Sequence, residues 1–324
     1  MRAIAEARTN IALVKYWGKR DEPLNLPAVG SLSLTLDGLT TRTEVRFDPA
    51  LAADALVLND SPSTGKPLAR VAAFLDLVRA RAGLKQFAQV TSHNDFPTAA
   101  GLASSASAFA ALALAAARAA RLDLDATQLS ELARRGSGSA ARSVFGGFVE
   151  MARGERPDGS DAVARALGEW DVRMVIGITS EGMKATLSTD GMRHTSETSP
   201  YYAAWLATQP DDLAAARDAV SRRDMAALGE TAERSCLRMH ASALAARPGI
   251  LYWSGATVDA FHVVRALRAD GVGVWFTNDA GPHIKALCAP ADAPRVERAL
   301  AAVQGVVRTI TCAPGAAARV VEAE

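Results

Sequence analysis

Asn94-Asp95-Phe96-Pro97-Thr98-Ala99-Ala100-Gly101-Leu102-Ala103-Ser104-Ser105-Ala106-Ser107 is the stretch from which the rest of the chain is read. Pro97 and Gly101 break whatever precedes them, and Ser104, Ser105 and Ser107 supply hydroxyls. From Ala106 to Arg121 the chain is almost all Ala, Leu and Phe, which predicts a helix apolar on most faces and therefore buried. The N-terminus of such a helix gathers unpaired backbone N–H groups beside small side chains, a setting that suits a phosphate. An ordinary N-cap is the plainer reading, but a cap needs one serine, and here three stand close to Gly101.

The 324 residues predict one large or two medium domains, and the expected boundary lies near the apolar strand Val172–Ile178, giving 1–178 and 179–324. With 49 % hydrophobic and 22 % charged residues, a full core is expected rather than disorder. A net charge of +1 without a basic run gives no reason to expect nucleic acid. Cys236, Cys288 and Cys312 stand far apart, so neither a zinc site nor a disulfide framework is indicated. No signal-like N-terminal run and no spanning apolar stretch is seen, so the expected setting is the cytoplasm, away from membranes.

Residues 3–15 read as a strand that feeds the polar loop Lys15-Tyr16-Trp17-Gly18-Lys19-Arg20-Asp21. There, two ammonium groups flanked by aromatics either face an anionic ligand or form a stacked corner of the core. Leu32–Leu36 and Thr41–Phe47 alternate in period two around Asp37-Gly38, which predicts a hairpin. Helices are expected over Leu68–Ala82 and Thr127–Arg135, the former with Arg70 near its start as a surface charge. Gly136-Ser137-Gly138-Ser139-Ala140-Ala141 formally fits the dinucleotide fingerprint, but a helix precedes it where a strand is required, so that reading is rejected. What remains is a second hydroxyl-rich loop, carrying Arg142, and two such loops favour a polyphosphate site. Thr186–Thr195 reads as a polar surface loop, and residues 200–245 and Ala256–Ala269 as helical. His240 and His262 fall in these helices and read as packing residues. Asp279, in Thr277-Asn278-Asp279-Ala280-Gly281-Pro282-His283, is either a turn residue or a carboxylate at a strand end over a cleft, with His283 a weak base candidate.

Neither GxxxxGK[ST] nor the protein-kinase motifs occur. Instead Pro97–Ala106 resembles the phosphate-binding motif of the GHMP kinase superfamily. More narrowly, Asn10–Arg20, Leu24–Pro27, Gly136–Arg142 and Asp279–Pro282 resemble the mevalonate diphosphate decarboxylase family, in family order from about residue 7 to 285. The resemblance implies an α+β, two-domain GHMP kinase-like fold with the active-site cleft between the domains. It also implies ATP and Mg2+ as cofactors, a homodimer, and 5-diphosphomevalonate as substrate, phosphorylated at its C3 hydroxyl and then losing phosphate and CO2.

By the same resemblance, Asp279, Arg142 and Lys15 are catalytic. Asp279 matches the carboxylate that orients or deprotonates the C3 hydroxyl, and Arg142 the guanidinium that meets the substrate carboxylate. Tyr16, Trp17, Lys19, Arg70, Ser137, Ser139, Ser188 and Met192 match substrate-binding positions, the last two on a loop that closes over substrate. Asn94, Pro97, Ala100, Gly101, Leu102, Ala103, Ser104 and Ser105 match the nucleotide site, with Ser107 a candidate magnesium or phosphate ligand. The chain departs from the family at Ala28-Val29-Gly30-Ser31, where Thr-Asn-Ser-Ser is common, at His283 in place of Asn, and at Thr189 in place of a basic residue. Alternatives are a decarboxylase of 5-phosphomevalonate, a GHMP-type mevalonate kinase, or a catalytically silent binding paralogue; an intact Asp279 and Arg142 argue against the last.

Overall fold

The computed structural model describes residues 1–96, 104–180, 182 and 186–324. The first half runs β1 (Arg2–Val14), β2 (Lys19–Asp21), β3 (Leu26–Pro27), β4 (Ser31–Asp48), β5 (Ala55–Leu58), β6 (Ser61–Ser63), α1 (Lys66–Ala82), β7 (Phe87–Asn94), α2 (Ser104–Ala119), α3 (Ala126–Gly136), α4 (Ala140–Ser143), β8 (Phe148–Met151) and β9 (Ala164–Gly168). The second half runs β10 (Arg173–Ile178), α5 (Ser188–Thr198), α6 (Tyr202–Arg222), α7 (Met225–Leu244), α8 (Gly255–Ala269), β11 (Val274–Asn278), β12 (Ile284–Cys288), α9 (Ala293–Ala301), β13 (Arg308–Cys312) and β14 (Arg319–Ala323).

Two sheets organise these elements. The larger has the order β14-β1-β4-β7-β5-β6, with β8 and β9 joined to β4; the smaller has the order β11-β12-β10-β13. Sheet pairing crosses the expected 178/179 division in both directions, since β10 pairs with β12 and β13 while β14 returns to β1. The two-domain α+β reading holds; where one folding unit ends and the next begins stays a proposal.

The hairpin expected at Asp37-Gly38 does not form. Residues 31–48 are one 18-residue strand that pairs with β1 on both sides of Asp37-Gly38. Between Arg8↔Thr40 and Asn10↔Thr35 the register slips, so β4 bulges where β1 runs on. Gly38 supplies the positive φ of 69° that the bulge needs. The backbone groups released from the ladder are taken by the C-terminal segment: the Asp37 N–H donates to the Ala313 carbonyl at 2.9 Å, and Ala313 N–H donates to Asp37 Oδ1 at 2.6 Å.

On either side of that bulge β1 and β4 serve different cores. Ala3, Ala5, Ala7, Val45 and Phe47 pack with α1, α2 and α3. Ile11, Leu13, Leu32, Leu34 and Leu36 pack with Met174, Ile176, Ala216, Ala219 and Leu228, contributed by β10, α6 and α7. β1 accordingly alternates in burial at its start and is continuously buried at its end, where elements cover both faces. The alanines of α2 are the reason it lies so close to the strands, as 12 of its 16 residues are buried. Thr186–Thr195, read from sequence as a loop, becomes helix from Ser188 on, because Gly191 and Met192 find an apolar surface to pack against. Among the described residues no helix is long and apolar enough to cross a membrane.

Glu150 on β8 ties the larger sheet to α6. Both its carboxylate oxygens accept from Arg217 at 2.7 Å, with Arg165 at 3.3 Å. Burial alone would raise the Glu150 pKa; the hydrogen bonds and charge of Arg217 reverse this and lower it. A carboxylate whose pKa is lower folded than unfolded adds stability above its unfolded value, lost as pH falls through the folded one. Glu150→Gln is therefore expected to lower the unfolding free energy near pH 7 by about 1–3 kcal/mol, with the deficit shrinking below the ordinary glutamate range. Urea unfolding at several pH values checks this, and an unchanged midpoint at pH 7 would refute it.

Candidate active site

The site forms where β1, α4, β11 and β12 converge. β1 ends at Val14, and the chain enters Lys15-Tyr16-Trp17-Gly18. The Lys15 N–H donates to Ser235 Oγ on α7 at 3.0 Å, which pins this corner to the second half. The Lys15 side chain, 1 % exposed, donates to the Ala12 carbonyl at 2.7 Å and to Asp279 Oδ1 at 2.8 Å. Asp279 thus faces the strand end contributed by the first half, with its side chain 24 % exposed.

A second ammonium lies against the other carboxylate oxygen. Lys285 Nζ is 3.2 Å from Asp279 Oδ2, and the Lys285 side chain is fully buried. Burial by itself would raise the Asp279 pKa; Lys15 and Lys285 more than reverse that and hold it well below the usual carboxylate range. Lys285 is depressed in turn, first by burial and in smaller part by Lys15. The sequence reading missed Lys285. Its only trace there is a single lysine inside the apolar run Ile284–Cys288.

Arg142, on the one-turn helix α4, is 2 % exposed. Its Nε donates to Asn10 Oδ1 at 3.2 Å and to Ser33 Oγ at 3.0 Å, and its Nη1 reaches Ser31 Oγ. Every one of these partners is neutral; among the described residues no carboxylate forms an ion pair with this guanidinium. Burial lowers its pKa to about 10, even with Tyr16 and Asp279 near. The Arg142 guanidinium lies 5.8 Å from the Tyr16 ring centroid. Tyr16 in turn packs so closely on Gly138 that a Cβ there would sit 2.1 Å from the Tyr16 hydroxyl. The glycine between Ser137 and Ser139 is thus a steric requirement of the aromatic beside it. The Tyr16 hydroxyl is buried without a hydrogen-bond partner among the described residues.

The serines and the remaining cations gather at the N-terminus of α2. Ser137 Oγ is 3.4 Å from both Ser105 Oγ and Ser139 Oγ, so the two hydroxyl-rich loops meet. Arg70 is exposed, as the surface-charge reading expects, but it is also held in place. It donates to the Gly136 carbonyl at 3.2 Å and lies 4.9 Å over the Phe109 ring centroid. Burial lowers the pKa of both Arg70 and Lys19, and Arg70 adds to the lowering at Lys19 although Glu22 opposes it. Two cations held within range of each other, with no ion pair to either among the described residues, have the character of an anion site.

Other expected residues are placed differently. Trp17, Val29, Met192, Trp205, Tyr252 and Ala280 form one apolar cluster. α5 docks on it through Gly191, where a Cβ would meet the Tyr252 hydroxyl at 2.3 Å and Trp17 at 3.2 Å. Met192 is therefore a packing residue here, and Ser188 sits at the start of a helix. Val29, at the departure from the family pattern, joins the same cluster. Gly30 makes room for Leu213, whose Cδ2 would lie 2.6 Å from an added Cβ, while Ser31 is kept for Arg142. His283 is buried, and its Nδ1 accepts from the Thr179 N–H at 3.2 Å. Asn94 and Ser107 are joined through Thr41 Oγ1, at 2.6 and 2.7 Å, beneath the start of α2. Ser107 is fully buried, and among the described residues its hydroxyl bonds Thr41 Oγ1 and the Ser104 carbonyl. Among the described residues no group of three or more acidic, His or Cys side chains gathers to hold a metal. Pro97, Ala100, Gly101, Leu102 and Ala103 lie outside the described residues.

The chain that builds this site has relatives over most of its length. Residues 7–164 match the model of the diphosphomevalonate decarboxylase-like N-terminal domain, and residues 174–317 that of the mevalonate 5-diphosphate decarboxylase C-terminal domain. A diphosphomevalonate decarboxylase of Ganoderma lucidum is 38 % identical over 306 residues, covering 87 % of this chain and 76 % of the relative. The solved mevalonate diphosphate decarboxylase of Staphylococcus aureus superposes with a TM-score of 0.95 at 38 % identity, over 99 % of this chain and 98 % of that one. MDDEF in complex with MVAPP, AMPPCP and magnesium superposes with a TM-score of 0.92 at 40 % identity over 99 % of each chain. With both halves matched in order and the relatives covered over most of their length, the chain belongs to the diphosphomevalonate decarboxylase family.

Proposed function

We propose that this protein uses ATP to decarboxylate (R)-5-diphosphomevalonate, giving isopentenyl diphosphate, ADP, phosphate and CO2. The observation that carries the reading is Arg142. It is a guanidinium buried among neutral partners, in one site with a carboxylate that two lysines keep ionised. A buried cation without a counter-ion is costly, and a ligand carboxylate that fits its planar fork offsets that cost.

The reaction needs the tertiary C3 hydroxyl made into a leaving group. Its oxygen attacks the γ-phosphorus of ATP, the bond from that phosphorus to the bridging β–γ oxygen breaks, and ADP leaves. The hydroxyl proton goes to the base or to solvent. The C3–O bond then breaks with departure of phosphate, while the substrate carboxylate releases CO2 and its bonding electrons form the alkene. Asp279 orients the hydroxyl and accepts its hydrogen bond. Lys15, reaching the same carboxylate, faces the oxygens on which charge builds during phosphoryl transfer. Arg142 holds the substrate carboxylate coplanar with its fork until CO2 leaves. Tyr16, Lys19, Arg70, Ser137 and Ser139 take the diphosphate. Trp17 and Met192 belong to an apolar wall that keeps water from the cationic carbon, and Ser188 opens the helix on which Met192 sits.

Ser104 and Ser105 open a 16-residue helix, whose N-terminus suits the ATP phosphates, and Asn94 serves the nucleotide side. Ser105 Oγ lies 3.4 Å from Ser137 Oγ, which supports a nucleotide side adjoining the diphosphate side. Magnesium, when bound, neutralises charge on the transferring phosphoryl; serine hydroxyls and phosphate oxygens would hold it, Ser107 among them only if it leaves Thr41. The family resemblance further implies a cytoplasmic homodimer.

Asp279→Asn is expected to cut turnover by about 10²-fold or more with ATP affinity nearly unchanged; loss of ATP binding would contradict the role assigned. The same variant leaves two buried ammonium groups facing a neutral amide. Lys285 then binds its proton more weakly folded than unfolded, so the variant's stability rises with pH up to about 10.4, relative to the parent chain. Thermal unfolding between pH 6.5 and 9.5 reads this, and a pH-independent gap between the two proteins would count against it. Arg142→Ala should lower kcat/KM for the anionic substrate by about 30-fold or more, chiefly through KM. Incubation with ATP, magnesium and each of mevalonate, its 5-phosphate and its 5-diphosphate decides the substrate. CO2 and alkene are expected from the diphosphate alone, and a stable phosphorylated acid would identify a kinase instead.

A further inference from the structure

We propose that Lys285 is a positioning residue for the reaction: from within its own hairpin it keeps Asp279 ionised and aimed, whatever Lys15 does. This rests on the assignment of Asp279 as the carboxylate that meets the C3 hydroxyl.

The two lysines reach Asp279 by different routes. Lys15 comes from the end of β1, in the other half of the molecule. Lys285 comes from β12, the partner of β11, and the five residues Asp279–His283 are all that separates these strands. Thr277 is directly opposite Lys285 in the register. Asp279, two residues beyond Thr277, is then the diagonal neighbour of Lys285, a relation in which long side chains reach one another. The contact is a property of the hairpin and does not depend on how the halves approach. Lys15, by contrast, reaches Asp279 only because the end of the first half's strand is brought against this hairpin.

The surroundings leave Lys285 no other duty. Its Nζ is buried, and among the described residues its one charged partner is Asp279 Oδ2. Glu233 on α7, the nearby acid that could compete, is bonded to Arg268 and to the Phe276 N–H. The other titratable groups that face the pair are Cys236 and His240 on α7, Lys15 just beyond β1 and Arg142 on α4. Burial pushes the Cys236 thiol up to about 11 and the His240 imidazole down to about 3, so neither carries charge near neutrality. Asp279 is then governed by Lys15, Lys285 and, at longer range, Arg142. Remove Lys285 and only cations that a bound substrate also engages are left. A carboxylate in that position takes up a proton more readily and loses one of its two fixed directions.

Lys285→Met, of similar length and uncharged, tests this, with Lys285→Gln as the second variant should the first fold poorly. Two readouts are taken. The first is the 13C carboxyl titration of Asp279, assigned by its absence in Asp279→Asn, which holds whatever reaction the site performs. The second is the pH profile of kcat/KM. Both inflections are expected to move to higher pH by about 1–3 pH units, with kcat reduced on the acid side and KM for ATP little changed. A purely structural lysine would lower thermal stability and leave both inflections where they are. If the carboxyl titration stays put in both variants, or moves while the acid limb of the rate does not, the proposal is overturned. Full activity of Asp279→Asn would overturn the functional assignment itself, and the carboxyl titration separates that failure from this one.

Discussion

A carboxylate held between two buried ammonium groups is the constraint on which this site depends. Each charge is too costly to bury alone, and together they are stable only in one geometry. Lys15 and Lys285 approach opposite oxygens of Asp279, at 2.8 and 3.2 Å, one from each half of the chain. The corner after β1 cannot drift from the β11–β12 hairpin without leaving the buried Lys15 ammonium unpaired. That penalty, more than any single apolar contact, fixes the walls of the cleft against one another.

The same arithmetic leaves the site positive. Lys15, Lys285 and Arg142 are three cations against one carboxylate, and Lys19 and Arg70 extend the excess toward the serines at the start of α2. Natural cores rarely tolerate such an imbalance. It is sustained here by neutral donors and acceptors. Asn10, Ser31 and Ser33 satisfy Arg142 without cancelling it, and the Gly136 carbonyl does the same for Arg70. A ligand with several negative charges would complete the electrostatics, so affinity and order would rise together on binding. The uncharged wall of Trp17, Val29 and Tyr252 sharpens this by keeping the local dielectric low.

Much of this was legible in the sequence, and the reasons for the failures are specific. The serine stretch, the buried alanine helix and Asp279 at a strand end follow from composition and local pattern. Period-two alternation around Asp37-Gly38 predicted a hairpin, but it reads the same in a strand that bulges and continues. Only the distant Ala313 and Pro314, which take the freed backbone groups, distinguish the two. Lys285 was invisible because its partner is set by cross-strand register, which a linear reading does not contain. Arg70 is the exposed charge its position suggests, with a carbonyl and an aromatic face holding it. Met192 was read as a loop residue, although its surroundings decide otherwise and it packs among tryptophans. Recognition of the family carried the roles; the local pattern carried the positions.

The return of residues 319–323 to the outer edge of the opening strand, pairing Ala3 with Ala323 and Glu6 with Arg319, has a consequence for biogenesis. β1 is translated well before β14, so its edge is made without its cover. Until β14 follows, that edge is an open template for adventitious strand addition. Arg2, Glu6 and Arg8 along this strand place charges there, the means by which nascent edges resist aggregation. Chaperone occupancy of ribosome-bound chains would then fall only once β14 has left the exit tunnel and covered β1.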